Sequence, residues 1–224
     1  MNSRGARLVL QAARWQLGKP SILNSAPSHV HGFLNGLNKL ALPNLQCVFT
    51  PGSYVAGHTY ILDRYPGVTA GAWPHRPEST GTVCATTTEM FEDPIVQPNY
   101  LSHPDDQGLT LAGMRLVRRM LATPEMEPFL DAETLPGAAA QADDALMDHA
   151  RKTGTTTYHL IGTARMGPAS DPTSVIADRL RVHGAQNLRA VDTSVMPSMP
   201  SANTYATTLA IAERASDFMR GRFA

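Results

Sequence analysis

This chain of 224 residues contains little cysteine and no long apolar run, and each absence excludes a class of protein. Its two cysteines, Cys47 and Cys84, are too few for a disulfide framework, and neither stands in a spacing that would hold a metal such as zinc. We therefore expect no metal site, and both thiols are predicted to be buried. Because no run of about 18 apolar residues occurs, no transmembrane helix is predicted. In the absence of a secretory signal, we expect a reducing compartment and a cytoplasmic location.

Net charge is also lacking, because 19 basic and 19 acidic residues give a formal charge of zero. A chain without a basic excess offers no electrostatic footprint for nucleic acid, so we expect no nucleic-acid partner. No acidic residue precedes Asp63, although arginines and lysines occur in that stretch. Such a start is typical either of a transit peptide or of a helix docked on a larger body, and the spacing of its leucines favours the helix.

Two fingerprints of known chemistry are missing as well. No GxGxxG motif follows a predicted strand, and the GxxxxG segment from Gly162 to Gly167 lacks the Lys-Ser/Thr pair of a phosphate-binding loop. A GxSxG nucleophile elbow is also absent, which disfavours a hydrolase. The sequence therefore carries no nucleotide-binding fingerprint of its own.

The local patterns predict a mixture of helices and strands. Helical spacing of apolar residues, with glycine or proline at the ends, predicts helices over 3–18, 109–122, 142–152 and 204–220. β-branched and aromatic residues predict strands over 45–50, 59–62 and 82–87, and extended pieces over 175–183 and 187–192. We therefore predict an α+β fold, built on a mixed or antiparallel sheet that has helices on one face.

The densest candidate site lies between Tyr158 and Asn203. His159 stands shortly before Gly162, where the backbone can approach a ligand closely, and a neutral imidazole can take a proton from an alcohol. Asn203 could hold the hydroxyl, and the predicted last helix begins beside it with unpaired N–H groups that suit an anion. Taken singly, a histidine here is more often a packed core residue, and an asparagine at this place is most often a helix cap.

Residues 158–167, Tyr-His-Leu-Ile-Gly-Thr-Ala-Arg-Met-Gly, resemble the catalytic histidine motif of the glucose–methanol–choline (GMC) family of FAD-dependent oxidoreductases. The usual form of that motif is His-Pro-Val-Gly-Thr-x-Arg-Met-Gly, so Leu160 replaces the proline. Further segments that resemble the family occur in its order over 74–83, 93–102, 180–184, 188–197, 201–204 and 211–217. The resemblance implies an enzyme similar to choline dehydrogenase or alcohol dehydrogenase, which acts on CH–OH groups.

The same resemblance implies roles for individual residues. His159 would be the base and Asn203 its partner, with the proton of a primary alcohol passing to His159 and a hydride to the flavin, which leaves an aldehyde. Contacts to FAD are implied for Asp192, Thr193, Asn203, Thr204 and Tyr205. At Tyr205 the family frequently has an asparagine.

The resemblance also divides the chain into three segments. Residues 1–73 would end the preceding substrate-domain region, 74–154 would form the substrate-binding domain, and 155–224 would be a catalytic segment that returns to the FAD domain with a strand and a helix. The main part of that domain, with its Gly-rich loop, lies outside this sequence, so the chain resembles the C-terminal two-fifths of a family member. A separately encoded N-terminal FAD-binding half would then be its partner. The alternative is a truncated, non-catalytic GMC-like domain.

Overall fold

The computed structural model describes residues 5–24, 26, 28–37, 42–58 and 60–222. Within them the helices are α1 (Ala6–Gln16), α2 (Pro104–Leu121), α3 (Asp143–Thr153) and α4 (Tyr205–Met219). The strands are β1 (Val30–Leu34), β2 (Leu45–Thr50), β3 (Thr69–Pro74), β4 (Thr82–Cys84) and β5 (Ile95–Gln97). The chain divides into two compact units, the first formed by Met1–Pro74 and Pro104–Thr155 and the second by His75–His103 and Thr156–Ala224.

The first unit is built on an antiparallel sheet in the order β1-β2-β3. Cys47 of the central strand lies opposite Gly32 on one side and Ala72 on the other. Cys47 is buried in this central strand, and burial raises the pKa of its thiol. Cys84, by contrast, is exposed on β4, which corrects the expectation that both thiols are buried.

The backbone of helix α2 approaches strand β3 closely where the helix packs on this sheet. Gly113 is buried in the helix, and a Cβ at this position would lie 2.8 Å from the Cβ of Ala72 in β3. Leu45 of β2, which is fully buried, lies next to the same glycine. The missing side chain therefore lets the helix sit directly on the strands.

The end of α2 is tied to the segment that leads to α3. Arg118 donates hydrogen bonds to both carboxylate oxygens of Glu133, at 2.7 to 3.2 Å, and to the carbonyl oxygens of Gly137 and Ala140. A guanidinium holds several acceptors at once in this way because its donors form a rigid fork. Helix α3 follows, and its buried side chains are Leu146 and Met147.

The second unit has a small apolar core and little regular sheet. Ile176, Leu180 and Val195 pack with Ala215 of α4. Around this core the chain forms isolated antiparallel bridges, such as Ile176 with Val182 and Arg181 with Arg189. The strands β4 and β5 form a separate antiparallel pair, which is exposed along its length.

The α+β class with antiparallel strands, predicted from the sequence, is confirmed, but two predicted strands are absent from the described residues. Only the bridge of Arg189 remains of the piece over 187–192, because left-handed backbone at Leu180 (φ 62°) and Asn187 (φ 57°) turns the chain too sharply for a ladder. Of the predicted strand over 59–62, one bridge joins Leu62 to Tyr54. Residue 59 lies outside the described residues.

The boundaries of the two compact units can be compared with those of the three predicted segments. The break between Thr155 and Thr156 lies beside the boundary expected after residue 154, whereas residues 75–103 cluster with the C-terminal segment and not with 104–154. The functional labels of the segments stay predictions. None of the helices in the described part of the chain combines the length and the apolar character that a membrane crossing needs.

Candidate active site

The side chains of His159 and Asn203 meet in the second unit. Nδ2 of Asn203 lies 3.1 Å from Nε2 of His159, across 44 residues of chain. An amide nitrogen only donates, so the ring nitrogen accepts, and the neutral imidazole carries its proton on Nδ1. The pair therefore presents one basic nitrogen and one amide donor at the same point.

The backbone around His159 contains one strained residue and is fixed by hydrogen bonds. Tyr158 has left-handed backbone, at φ 61°, and its N–H donates to Oγ1 of Thr156 at 3.0 Å. Further along, the N–H of Ala164 donates to the carbonyl of Ser194 at 3.1 Å, and the N–H of Met166 to that of Val195 at 3.0 Å. A bulky residue in the left-handed region persists only where its surroundings impose it, which is common at functional sites.

Asn203 stands immediately before the N-terminus of α4. Thr204 is the buried N-cap residue, but its side chain makes no capping hydrogen bond. The side chain of Thr204 therefore caps none of the first amides of α4, and the positive end of the helix dipole lies beside Asn203. Tyr205, the first residue of the helix, is 74% exposed, so its phenol does not fill this end of the helix.

Asp192 and Thr193 lie in a different local structure. Oδ1 of Asp192 accepts a hydrogen bond from the N–H of Ser194 at 2.7 Å and caps the short 3₁₀ turn Thr193–Val195. The carboxylate is thus used within its own turn. Since this turn also accepts hydrogen bonds from Ala164 and Met166, it belongs to the same folded unit as His159.

His75 is a neighbour of the pair that the sequence reasoning missed. Its side chain is buried, at 5% exposure. Burial is the largest influence on this ring, and it lowers the pKa of His75 below its usual value. The available signal was a titratable residue directly before the Arg-Pro-Glu-Ser segment, but nothing local marked it as buried.

The donor set fits one end of FAD. The Asn203 amide and the first amides of α4 suit the carbonyl oxygens of the flavin ring, because these oxygens need donors and favour positive charge. A Gly-rich turn for the pyrophosphate is absent from the sequence. These donors therefore suit the flavin end of the cofactor.

A separate cavity of about 430 Å³ lies in the first unit, against α2. It is lined by Leu111, Arg115 and Arg119 among others, and Asp143 pairs with Arg115 there. None of the predicted site residues lines it. The chemistry argued from His159 and Asn203 therefore does not involve this cavity.

Known proteins resemble the chain over most of its length. It is 34% identical over 201 residues to the alcohol dehydrogenase (acceptor) of Pseudomonas putida. The aligned region covers 90% of this chain and 36% of that protein. It is 35% identical over 209 residues to the oxygen-dependent choline dehydrogenase of Staphylococcus haemolyticus (strain JCSC1435). Here the aligned region covers 88% of this chain and 35% of that protein. The chain thus spans about a third of the length of these relatives.

Solved structures show the same fold. A fungal aryl-alcohol oxidase matches with a TM-score of 0.64 at 32% identity, over 78% of this chain and 27% of that chain. Pyridoxine 4-oxidase from Mesorbium loti matches with a TM-score of 0.78 over 87% of this chain and 38% of that one; its 22% identity supports the fold alone. Residues 77–212, more than half of the chain, match the family described as GMC oxidoreductase. The resemblance drawn from the sequence motifs is confirmed, and the chain belongs to the GMC oxidoreductase family.

Proposed function

We propose that this chain is the catalytic and substrate-binding part of an FAD-dependent enzyme that oxidises a primary alcohol to an aldehyde. The observation that carries the proposal is the 3.1 Å contact between Asn203 and His159. Two relatives named alcohol dehydrogenase and choline dehydrogenase, at 34% and 35% identity, support an alcohol as the substrate class.

In this proposal His159 takes the proton of the alcohol. Nε2 of the neutral ring is the acceptor in the contact with Asn203, so it is also the atom that can receive a hydroxyl hydrogen. An alcohol that enters the contact donates to Nε2 and accepts from the Asn203 amide. The base and the amide then hold the two sides of one hydroxyl group.

FAD, when bound, supplies the acceptor for the hydride that leaves the carbinol carbon. Asn203 and the first amides of α4, at Thr204 and Tyr205, would hold the flavin end, and backbone groups of Asp192 and Thr193 would lie along the cofactor chain. Backbone contact suits these two residues because the Asp192 carboxylate already caps its own turn. Proton and hydride together account for the two electrons and two hydrogens that the alcohol loses.

A partner that carries the rest of the FAD site is part of the proposal. The apolar side chains of α1, among them Leu8, Val9 and Leu10, are exposed, and none of the residues of α1 is buried. Exposed apolar surface of this kind is typical of an interface with further protein. An N-terminal FAD-binding half, fused or separately encoded, would cover it. The cytoplasmic location stays a prediction.

The proposal can be tested with a chimera. The FAD-binding part of the Pseudomonas putida relative, placed ahead of this chain, should give a yellow protein whose flavin absorbance is bleached by a primary alcohol under anaerobic conditions. His159→Ala should slow the bleaching by roughly 100-fold with flavin retained, which is the usual scale of general base catalysis. The exposed His103, changed to Ala, is the control and should leave the rate within about threefold.

The outcomes separate the two interpretations. A chimera that binds flavin but is not bleached by any primary alcohol would favour the non-catalytic GMC-like domain. A His159→Ala chimera that reacts within about threefold of the parent would show that another group is the base.

A further inference from the structure

The cavity of about 430 Å³ in the first unit takes no part in the proposed mechanism. Its walls come from three parts of the chain: residues 35–37 after β1, helix α2, and the start of α3. Its volume lies in the range of about 300 to 1,000 Å³ that is usual for small-molecule sites. The cavity is therefore large enough to hold a small organic ligand.

Helix α2 contributes one of its faces to this cavity. Its buried residues, Asp106, Thr110 and Gly113, recur every three or four positions, and Gly113 lies against β3. The residues that line the cavity recur in the same way on another face of the helix: Gly108, Leu111, Ala112, Arg115, Leu116 and Arg119. Because Gly108 and Ala112 have no side chain beyond Cβ, this face leaves room for a ligand beside the leucines.

Contacts within the first unit hold the walls of the cavity in place. The N–H of Gly36 donates to Oδ1 of Asn44 at 2.7 Å, and a Cβ at Gly36 would lie 2.8 Å from a methyl carbon of Leu45. On the other side, Arg115 forms an ion pair with Asp143, the first residue of α3. The cavity is therefore formed before a ligand enters, which lowers the entropic cost of binding.

The charges at the cavity favour a ligand with one negative charge. Among the described residues that line it, the charged ones are Arg115, Arg119 and Asp143. Asp143 pairs with Arg115, whereas Arg119 makes no ion pair or hydrogen bond to any residue that the structure describes. One positive charge thus remains beside apolar walls, and a guanidinium binds a carboxylate through two parallel hydrogen bonds. A dianion such as a phosphate would place its second charge near Asp143.

We propose that this cavity binds a small amphiphilic carboxylate, with its apolar group against Leu111 and Leu116 and its carboxylate on Arg119. The site shares no residue with the pair His159 and Asn203. It does not depend on the proposed alcohol oxidation, so binding can be measured on the chain without FAD.

The test compares hexanoate with hexanamide, which has the same alkyl chain and nearly the same shape but no charge. Titrated into the ¹⁵N-labelled full chain near pH 7.5, hexanoate should shift the amide signals of Gly36 and Gly108 saturably, with a dissociation constant on the order of 1 to 10 mM. Hexanamide should bind at least about 10-fold more weakly, because it forms no charge-assisted pair with Arg119. Equal affinities, or shifts that stay linear up to about 50 mM hexanoate, overturn the inference.

Three variants test the charged residues. Arg119→Gln should weaken hexanoate binding roughly 10-fold, whereas the matched change Arg151→Gln, at an exposed arginine of α3 outside the cavity, should leave it within about twofold. Asp143→Asn releases Arg115 for the ligand and should tighten binding at least about twofold, a gain that a damaged fold cannot produce. Equal effects of the two arginine changes, or weaker binding in Asp143→Asn, overturn the inference.

The chimera tests whether the cavity stays open when the FAD-binding part is present. A ligand that binds the folded state raises the melting temperature. At matched ionic strength and about 50 mM ligand, hexanoate should raise the melting temperature of the chimera more than hexanamide does, and Arg119→Gln should remove the difference. A chimera in which the two compounds act alike overturns the inference, because the cavity would then be covered or its charge unused.

Discussion

The amide nitrogen of Asn203 lies 3.1 Å from Nε2 of His159, although 44 residues separate them in the chain. The turn Thr193–Val195 connects the two, because it accepts hydrogen bonds from the segment after His159 and lies before α4. The contact requires Nε2 to be an acceptor, because the amide nitrogen only donates.

The first prediction concerns the donor at Asn203. In the chimera, Asn203→Asp keeps the shape but replaces the amide donor with a carboxylate, so we expect alcohol oxidation to fall by roughly 100-fold. Asn203→His retains a ring donor and should recover at least part of the rate. Stopped-flow bleaching of the flavin measures both. An Asp variant as fast as the parent would contradict the donor role.

The second prediction concerns acid stability. Burial lowers the pKa of His75 and of His149, so between their folded values and about 6.5 the unfolded chain binds more protons than the folded chain. Stability therefore rises with pH through this window and is lost on acidification. The groups that influence the two rings are Arg76 and His159 for His75, and Glu133, Arg118 and Asp148 for His149.

Urea unfolding near pH 7.5 and pH 5.5 checks the pH effect. His75→Gln and His149→Gln should each reduce the loss of unfolding free energy between the two conditions, whereas replacing the exposed His31 with Gln should not. An equal loss in all four proteins would mean that the buried rings are not responsible.

The third prediction concerns the clamp at Arg118. The guanidinium of Arg118 donates to four acceptors at once, and the single ammonium group of a lysine cannot do this. We therefore expect Arg118→Lys to lower the unfolding free energy by about 1.5 kcal/mol. The neighbouring Arg119 is exposed, and Arg119→Lys should change stability by less than about 0.5 kcal/mol. Equal effects in denaturant unfolding would show that the hydrogen bonds of Arg118 to Glu133, Gly137 and Ala140 add nothing to stability.

The fourth prediction concerns the packing of α2 on β3. Gly113→Ala places a methyl group 2.8 Å from the Cβ of Ala72, which cannot turn away, so the helix must shift at a cost of about 1 to 3 kcal/mol. Gly108→Ala in the same helix meets only the end of the Leu37 side chain at 3.1 Å and should cost less. Thermal unfolding ranks the two; the reverse order would contradict the close approach.

Local chemistry was sufficient to predict several elements. The strand predicted over 45–50 has the observed bounds of β2, and the helices predicted over 142–152 and 204–220 agree with α3 and α4 to within one residue at each end. Their signals lie in the elements themselves: acidic residues at the start of α3, a glycine after its end, and β-branched or aromatic residues in β2.

Other elements carry no such signal. β1 and β3 were not predicted, since Gly32 and Gly71 interrupt their patterns, and they are strands because β2 pairs with both. Helix α2 begins at Pro104, five residues before the predicted start, because proline suits the first turn and Asp105 and Asp106 complement the helix dipole there.

The sequence by itself determined the family, the helices and the candidacy of His159 and Asn203, because motifs, caps and propensities act within a few residues of the chain. Only the tertiary structure decided that the Asn203 amide reaches Nε2, that Asp192 caps its own turn, and that His75 is buried. These contacts need distant parts of the chain to return to one place. Burial and hydrogen-bond partners depend on residues that are distant in the sequence, so no local pattern predicts them.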